Sequence, residues 1–203
     1  VEGAQFADDG RYRGAELSEE AIALGNPVPD HFGGFGFSAT FFNDLRLNAQ
    51  AEYQLGHQAY SNTVRFLTLI GANERRNELS DQLAGLEPGT DQYRQVANDL
   101  ARTNPGAGTG EIDNFLQDAD FLKLRSVGIQ YDASDLLGSV SGTNVLRTFT
   151  LGFSASNLLT FTPYDLGPDP EVNFSGSRGV TRGQDFLTLQ NPREYTFSLE
   201  VGF

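Results

Sequence analysis

The chain has no cysteine, which removes a disulfide framework, thiol catalysis and Cys-ligated zinc from the functions open to it. Histidine is nearly as scarce: His31 and His57 are the only two. Neither stands beside a nucleophile or at metal-ligand spacing, so both read as solvated or interfacial rather than catalytic. There is no tryptophan, which weakens a reading as an extracellular carbohydrate-binding β-sandwich that presents aromatics for stacking. No run approaches the roughly 18 apolar residues of a spanning helix, which excludes a helical membrane protein. Basic residues are few: 14 Lys and Arg stand against 27 Asp and Glu, a formal net charge of −13. That balance argues against nucleic acid as a partner held by a general basic surface. The opening Val1-Glu2-Gly3-Ala4-Gln5 lacks the basic start and apolar core of a signal peptide. Either the chain is a soluble cytoplasmic protein, or synthesis begins upstream of Val1.

What the sequence does contain is glycine (23) and phenylalanine (16) in 203 residues, a composition of strands with tight bends and aromatic edges. The last stretch is the clearest. Tyr195, Phe197, Leu199, Val201 and Phe203 alternate with Thr196, Ser198, Glu200 and Gly202, and a period of two puts every large apolar group on one face of a strand. A transmembrane β-strand needs roughly 9 to 11 such residues with an aromatic at the interface. A half-buried strand of a soluble sandwich shares the alternation.

Phe35, Phe37, Ala39 and Phe41 repeat the pattern, followed by a turn near Asn43-Asp44. Leu45, Leu47, Ala49, Ala51, Tyr53 and Leu55 then alternate with Arg46, Asn48, Gln50, Glu52 and Gln54. This predicts a hairpin with one apolar and one wet face, and its length of about eleven residues is twice that of a usual soluble strand. A third strand runs from about Phe121 to Tyr131. Leu122 and Leu124 have one parity while Val127, Ile129 and Tyr131 have the other, which predicts a β-bulge near Arg125-Ser126 that keeps both sets on one face. Residues 132 to 144, with Gly138 and Gly142, make the return. A fourth strand is expected from about Val145 to Ser156, with Phe149, Leu151, Phe153 and Ala155 outward.

Between these strands the pattern changes. Residues 1 to 30 read as irregular, with a turn at Asp8-Asp9-Gly10 and a short helix over 18–24 capped by Ser18 and stopped by Gly25. From about Asn62 to Ala119, Leu79, Leu83 and Leu86 fall at helical spacing, as do Tyr93, Val96, Ala97 and Leu100. Glu87-Pro88-Gly89-Thr90 stops the first helix and caps the second, and the two helices are expected to pack together. Residues 157 to 193 form a second long Pro/Gly-broken loop. Such excursions are too long for idle turns and suit extracellular barrel loops.

Several phrases together resemble the carboxyl-terminal end of a TonB-dependent outer-membrane receptor of the SusC/RagA family. Gly25-Asn26-Pro27-Val28-Pro29-Asp30 with Gly33-Gly34-Phe35 is similar to that family's GNPxPDxxGG segment. Phe121-Leu122-Lys123-Leu124-Arg125-Ser126-Val127, with Gly128 and Tyr131, is similar to its FLRLRNVxxGY strand. Ser156-Asn157-Leu158-Leu159-Thr160-Phe161-Thr162 and Asp169-Pro170-Glu171-Val172 resemble its NLLTFT and DPEV segments, and Tyr195 to Phe203 its terminal strand. The resemblance implies an all-β fold: a section of an antiparallel transmembrane β-barrel with about five long strands. Residues 1–33 would be an extracellular loop segment and 34–203 the barrel section. Extracellular loops would lie at about 57–120, with two short helices, and 157–193. Five strands cannot close a barrel of their own.

The implied function is transport without catalysis or cofactor: import of large nutrients such as oligosaccharides or peptides, in the bacterial outer membrane. The implied partners are the remainder of the barrel with its plug domain, a SusD-like lipoprotein over the mouth, the TonB complex acting through the plug, and outer-membrane lipid. Arg46, Asn48, Gln50, Glu52 and Gln54 would face the lumen. Lys123 and Arg125 would make an ion pair in the barrel wall or meet plug carboxylates. Tyr195, Phe197, Leu199, Val201 and Phe203 would form the signal read by the barrel-assembly machinery. A structural scaffold of a surface complex is the alternative of a different class.

Two acidic groupings complete the candidates. Asp8 and Asp9, with Glu16, Glu19 and Glu20, offer oxygens for calcium, but the spacing departs from an EF-hand and a solvated turn is the plainer reading. Asp165, Asp169 and Glu171 are carboxylates of the kind paired in glycoside chemistry. Pro163, Gly167, Pro168 and Pro170 make their segment a bent loop with a structural role.

Overall fold

A computed structural model describes residues 3–20, 23–106, 113–135, 147–171, 173–176 and 182–203. In chain order the strands are β1 (Gly3–Phe6), β2 (Tyr12–Glu16), β3 (His31–Phe41), β4 (Leu45–Leu55), β5 (Gln58–Ser61), β6 (Leu116–Asp118), β7 (Phe121–Asp132), β8 (Thr148–Phe161), β9 (Gln184–Asp185) and β10 (Glu194–Gly202). Helices α1 (Asn62–Leu69), α2 (Glu74–Ala84) and α3 (Asp91–Ala101) lie between β5 and β6, and a 3-10 turn spans Asp113–Phe115. Strand is thus the dominant element, as the all-β expectation has it. The chain forms two compact units, one of residues 29–56, 120–163 and 190–203, the other of 1–28, 57–119 and 164–189.

The first unit is a five-stranded sheet in the order β10-β8-β7-β4-β3, antiparallel throughout. It is an open sheet, not a closed barrel. β3 and β4 run for eleven residues each and turn tightly through Phe42 and Asn43, at φ 54° and 67°. The Asp44 N–H closes this turn on the Phe41 carbonyl at 3.2 Å. Two successive positive-φ residues match the right-handed twist of the flanking strands.

The register carries the two-faced character across every strand. Phe37 pairs with Ala49 and Ala49 with Val127; Val127 pairs with Ala155 and Ala155 with Tyr195. The parity change in β7 is a bulge: Gln50 opposes Ser126 and Ala51 opposes Leu124, so Arg125 is the extra residue. Leu122 and Leu124 therefore stay on the face of Val127, Ile129 and Tyr131. On the other side Leu124 opposes Leu159 and Ser126 opposes Ser156, which leaves Asn157 and Leu158 across from Arg125. Asn157 sits at φ 54°. β8 continues past it to Phe161, so the strand expected to end at Ser156 runs on and the loop begins later. The expected return with Gly138 and Gly142, and the strand start at Val145, lie outside the described residues.

Residues 1–30, of which 1–28 belong to the second unit, are not irregular throughout. β1 and β2 form a hairpin around Asp8-Asp9-Gly10, with Gly10 at φ 78° supplying a conformation that glycine adopts without strain. The described part of 18–24 is not helical, and the Ser18 hydroxyl donates to the Glu20 carbonyl instead of capping a helix. Residues 21 and 22 lie outside the described residues.

α2 and α3 pack as their leucine spacing predicts. Leu83, Tyr93, Ala97 and Leu100 form one core, joined by Leu79, Leu86 and Val96 and by Ala4 and Tyr12 of the hairpin. Thr90 caps α3 by accepting from the Tyr93 N–H at 3.2 Å. Asn73 caps α2 by accepting from the Arg76 N–H at 3.1 Å. The hairpin is tied to α3 by the Ala4 N–H to Asn98 Oδ1 (3.0 Å) and the Tyr12 N–H to the Tyr93 hydroxyl (2.9 Å). Helix α1 is additional to the two expected. Ser61 caps it, accepting from the Val64 N–H at 3.3 Å. β5 pairs antiparallel with β6 and parallel with β9, a second small sheet that short polar segments did not announce.

Candidate functional site

The site is the two-faced wall of the five-stranded sheet. On its wet face Arg46, Asn48, Gln50, Glu52 and Gln54 share one side of β4, opposite Gln130, Gly128, Ser126, Lys123 and Phe121 of β7. Ser154 and Thr196 continue this face across β8 and β10. The bulge aims Arg125 back at β4, where its Nε donates to Glu52 Oε2 at 3.0 Å. This is the ion pair within the wall that the sequence offered as one of two roles for Arg125. Lys123 is buried, its Nζ 5.0 Å from the centre of the Phe121 ring, a cation–π contact that compensates part of its desolvation.

On the other face many large apolar side chains are exposed. Phe35 and Phe161 are each 61% exposed, Phe197 is 80% and Phe203 79% exposed, and Leu55, Leu122, Ile129, Leu151, Leu159, Tyr195, Leu199 and Val201 stand open beside them. Of the five sequence-selected residues, Tyr195, Phe197, Leu199 and Val201 lie together on β10 opposite Ala155, Phe153, Leu151 and Phe149, and Phe203 follows the last residue of the strand. Phe197 and Phe153 rings are 4.9 Å apart. Keeping each such side chain in water forgoes roughly 1.5–3 kcal/mol of burial. The largest apolar patch of a water-soluble monomer is only about 300–600 Å². Among the described residues no helix is long and apolar enough to cross a membrane, and strands are the elements that carry the apolar surface.

The remaining candidates fall elsewhere. Asp8 and Asp9 sit in the β1–β2 turn, where Asp9 Oδ1 accepts from the Arg11 N–H at 3.1 Å and Oδ2 lies 3.6 Å from Arg11 Nε. Among the described residues no three His, Asp or Glu side chains come together as a metal site. His31 is exposed at the start of β3. His57 is buried, so of the two settings expected for it, solvated or interfacial, the solvated one does not hold; its carbonyl accepts from the Ala119 N–H. Asp169 Oδ1 accepts from the Glu171 N–H at 2.9 Å. Gln117 Oε1 accepts from the N–H groups of Asp165 and Leu166 at 2.9 and 3.2 Å. Both arrangements hold loop backbone.

One cluster was not among the sequence candidates. The Ser61 hydroxyl donates to the Leu166 carbonyl at 2.9 Å and lies 3.3 Å from Asp185 Oδ2. Asp185, 1% exposed, accepts from the Thr188 hydroxyl at 3.1 Å. Tyr164 packs beside them, its hydroxyl pushed up to about 12 chiefly by burial, with Asp185 and Asp165 adding to the rise and the nearby Ser61 opposing it. Ser61 as a helix cap was the one readable hint, because Ser before an apolar helix is a start signal.

No family model matches the chain. Over 208 residues it is 24% identical to a TonB-dependent receptor of Formosa agariphila, covering 100% of this chain and 20% of that protein. A second TonB-dependent receptor of the same organism is 26% identical over 207 residues, covering 98% of this chain and 18% of that protein. The chain therefore spans about a fifth of the length of the curated relatives it matches, at 20% and 18%. The fold matches the RagAB peptide importer in its closed-closed state with a TM-score of 0.66 and 21% identity, over 98% of this chain and 20% of that one. The open-open state gives 0.62 and 20% identity, over 99% of this chain and 20% of that one.

An exposed apolar face on long antiparallel strands thus accompanies a likeness, over the whole of this chain, to proteins of the TonB-dependent receptor class. Its fold is shared with the RagAB importer structures, and the proteins it resembles are those of the bacterial outer membrane.

Proposed function

We propose that the five-stranded sheet is one section of a closed transmembrane barrel, and that the chain is the carboxyl-terminal part of a transporter for large nutrients such as peptides or oligosaccharides. The carrying observation is the apolar face that crosses all five strands, with large apolar side chains exposed on each of them. It lies against lipid, while Arg46, Asn48, Gln50, Glu52 and Gln54 face the lumen. β3 supports the continuation of the sheet. It is an eleven-residue edge, HFGGFGFSATF, with none of the Lys, Pro or inward charge that blunts a free edge. Further strands therefore pair with it.

In this reading residues 1–30, 57–120 and 162–193 lie outside the cell, because long barrel loops are extracellular and short turns periplasmic. The strand from Tyr195 to Phe203 carries the signal for barrel assembly. A plug domain, a TonB complex and a SusD-like lipoprotein are the partners, and no residue of this chain is assigned to catalysis.

The test is to disrupt the gene of the full-length receptor and follow uptake of labelled peptides and oligosaccharides by intact cells. The expected result is loss of uptake of one class, with the same loss when the inner-membrane proton gradient is collapsed. Unchanged uptake with loss of a surface complex would replace transport by a scaffold role.

A further inference from the structure

We propose that the buried contacts around Asp185 form a latch that makes the excursion after β4 and the excursion after β8 one cooperative body, so that the two open together and neither moves alone. The inference goes beyond the transport reading and does not rest on it, because the contacts lie within the second unit. β5 is the middle strand of the small sheet, with β6, the returning leg of its own excursion, on one side and β9 of the other excursion on the opposite side. The backbone link across that second side is slight. β9 has two residues, parallel to Tyr60 and Ser61, and the Tyr60 N–H donates to the Gly183 carbonyl at 2.7 Å.

Side chains supply the rest of the link, and they converge on the start of α1. The Ser61 hydroxyl meets the Leu166 carbonyl at 2.9 Å and Asp185 Oδ2 at 3.3 Å. The Leu187 N–H donates to Thr63 Oγ1 at 2.6 Å, and the Phe186 ring stands edge-on to Phe66 with 5.8 Å between centroids. Asp185 Oδ1 accepts from the Thr188 hydroxyl at 3.1 Å, which folds this segment back on itself. From β6, Gln117 Oε1 accepts from the Asp165 and Leu166 N–H groups, so both legs of the longer excursion grip the shorter one.

Two features make release a single step. Asp185 is 1% exposed, and a buried carboxylate is sustained by hydrogen bonds that replace its lost water. If β9 leaves β5, that environment is lost as a whole. Leu187 sits at φ 51°, a left-handed conformation that is sterically unfavourable for leucine. Such conformations persist only where the surrounding contacts over-determine them, and here the contact is Thr63 Oγ1 on the Leu187 N–H. Losing that bond lets Leu187 relax and carries Asp185 and Phe186, its near neighbours in the chain, away from α1. The contacts therefore fail together, as in local openings that run as cooperative units rather than bond by bond.

The experiment is hydrogen exchange of the full-length receptor, followed by mass spectrometry on peptides from 57–66, 113–119, 164–171 and 182–189. Asp185→Ala is expected to speed exchange in all four by a common factor of about tenfold, with peptides of α2 and α3 unchanged because those helices keep their own core. Asp185→Asn, which keeps the shape and much of the hydrogen bonding, should give a smaller rise in the same four. Thr63→Val removes only the acceptor for the Leu187 N–H and serves, with a smaller common rise, should Asp185→Ala fail to fold. A rise confined to 164–171 and 182–189 overturns the coupling of the two excursions. A rise that reaches α2 and α3 equally overturns the latch as a local device, since the whole unit then opens. Unchanged exchange in all four peptides overturns Asp185 as the fastening.

Discussion

Arg125, the extra residue of the β7 bulge, is held by Glu52 of β4 through an Nε to Oε2 contact of 3.0 Å. The irregularity that keeps two runs of apolar residues on one face also places a cation on the opposite face, against a carboxylate already there. One inserted residue thus fixes the register and pairs a charge of the wet face.

This arrangement makes deletions asymmetric. Removing Arg125 joins Leu124 to Ser126 in strict alternation, so Leu122, Leu124, Val127, Ile129 and Tyr131 still share a face and the full-length receptor is expected to assemble. Removing Gly128 from the regular stretch turns Ile129 and Tyr131 to the wet face and is expected to abolish assembly. Heat-modifiable migration of outer-membrane fractions separates the two, and equal behaviour would contradict the register.

The ion pair itself contributes little. Its side chains are 24% and 40% exposed, and pairs open to solvent are worth less than about 1 kcal/mol. Glu52→Gln is expected to leave assembly intact and to shift the denaturant midpoint only slightly. A large shift would mean that the pair is shielded from water.

Charge placed on the two faces should act differently. Leu151→Arg is expected to cost about 2–4 kcal/mol, as at the midplane of a membrane barrel. Ser154→Arg, on the wet face, should cost far less. Reversible unfolding of the full-length receptor in lipid vesicles measures both, and similar costs would contradict the assignment of faces.

In the second unit Tyr164 provides a pH signature. Its folded pKa of about 12 lies above the usual tyrosine value of 10. Ionisation therefore favours the unfolded segment, so stability is fully present below pH 10 and falls between pH 10 and 12, by up to about 1.4 kcal/mol per unit. Ultraviolet titration should show a late-ionising tyrosine that Tyr164→Phe removes. Protease sensitivity of residues 164–189 should rise in the same window.

The long strands were legible because β4 and β10 alternate strictly, β3 alternates from Phe35 to Phe41, and the parity break at Arg125 is local. α2 and α3 were legible through leucine spacing and the Thr90 cap. α1 escaped notice because Thr63, Val64 and Thr68 are β-branched, and Thr68 Oγ1 turns back to the Val64 carbonyl at 2.7 Å. The end of β8 was read as loop because Asn157 adopts a left-handed conformation within the strand. The β1–β2 hairpin is too short for a period to emerge, with strands of four and five residues. The Ser61, Tyr164 and Asp185 cluster joins residues up to 124 positions apart, a distance over which no local pattern operates.

The wall of wet-face residues was partly legible in the same way. Arg46, Asn48, Gln50, Glu52 and Gln54 could be grouped from parity alone, while their neighbours Lys123, Ser126 and Gln130 needed the strand pairing.

The most direct measurement is a cysteine scan of residues 195–203 in the full-length receptor, each position spin-labelled in lipid vesicles and tested for collision with oxygen and with a water-soluble nickel chelate. Oxygen accessibility that rises at Tyr195, Phe197, Leu199 and Val201 and falls at Thr196, Ser198 and Glu200, with the chelate excluded from the first set, is the expected result. Odd positions closed to both reagents would show a protein layer over this face and contradict the account.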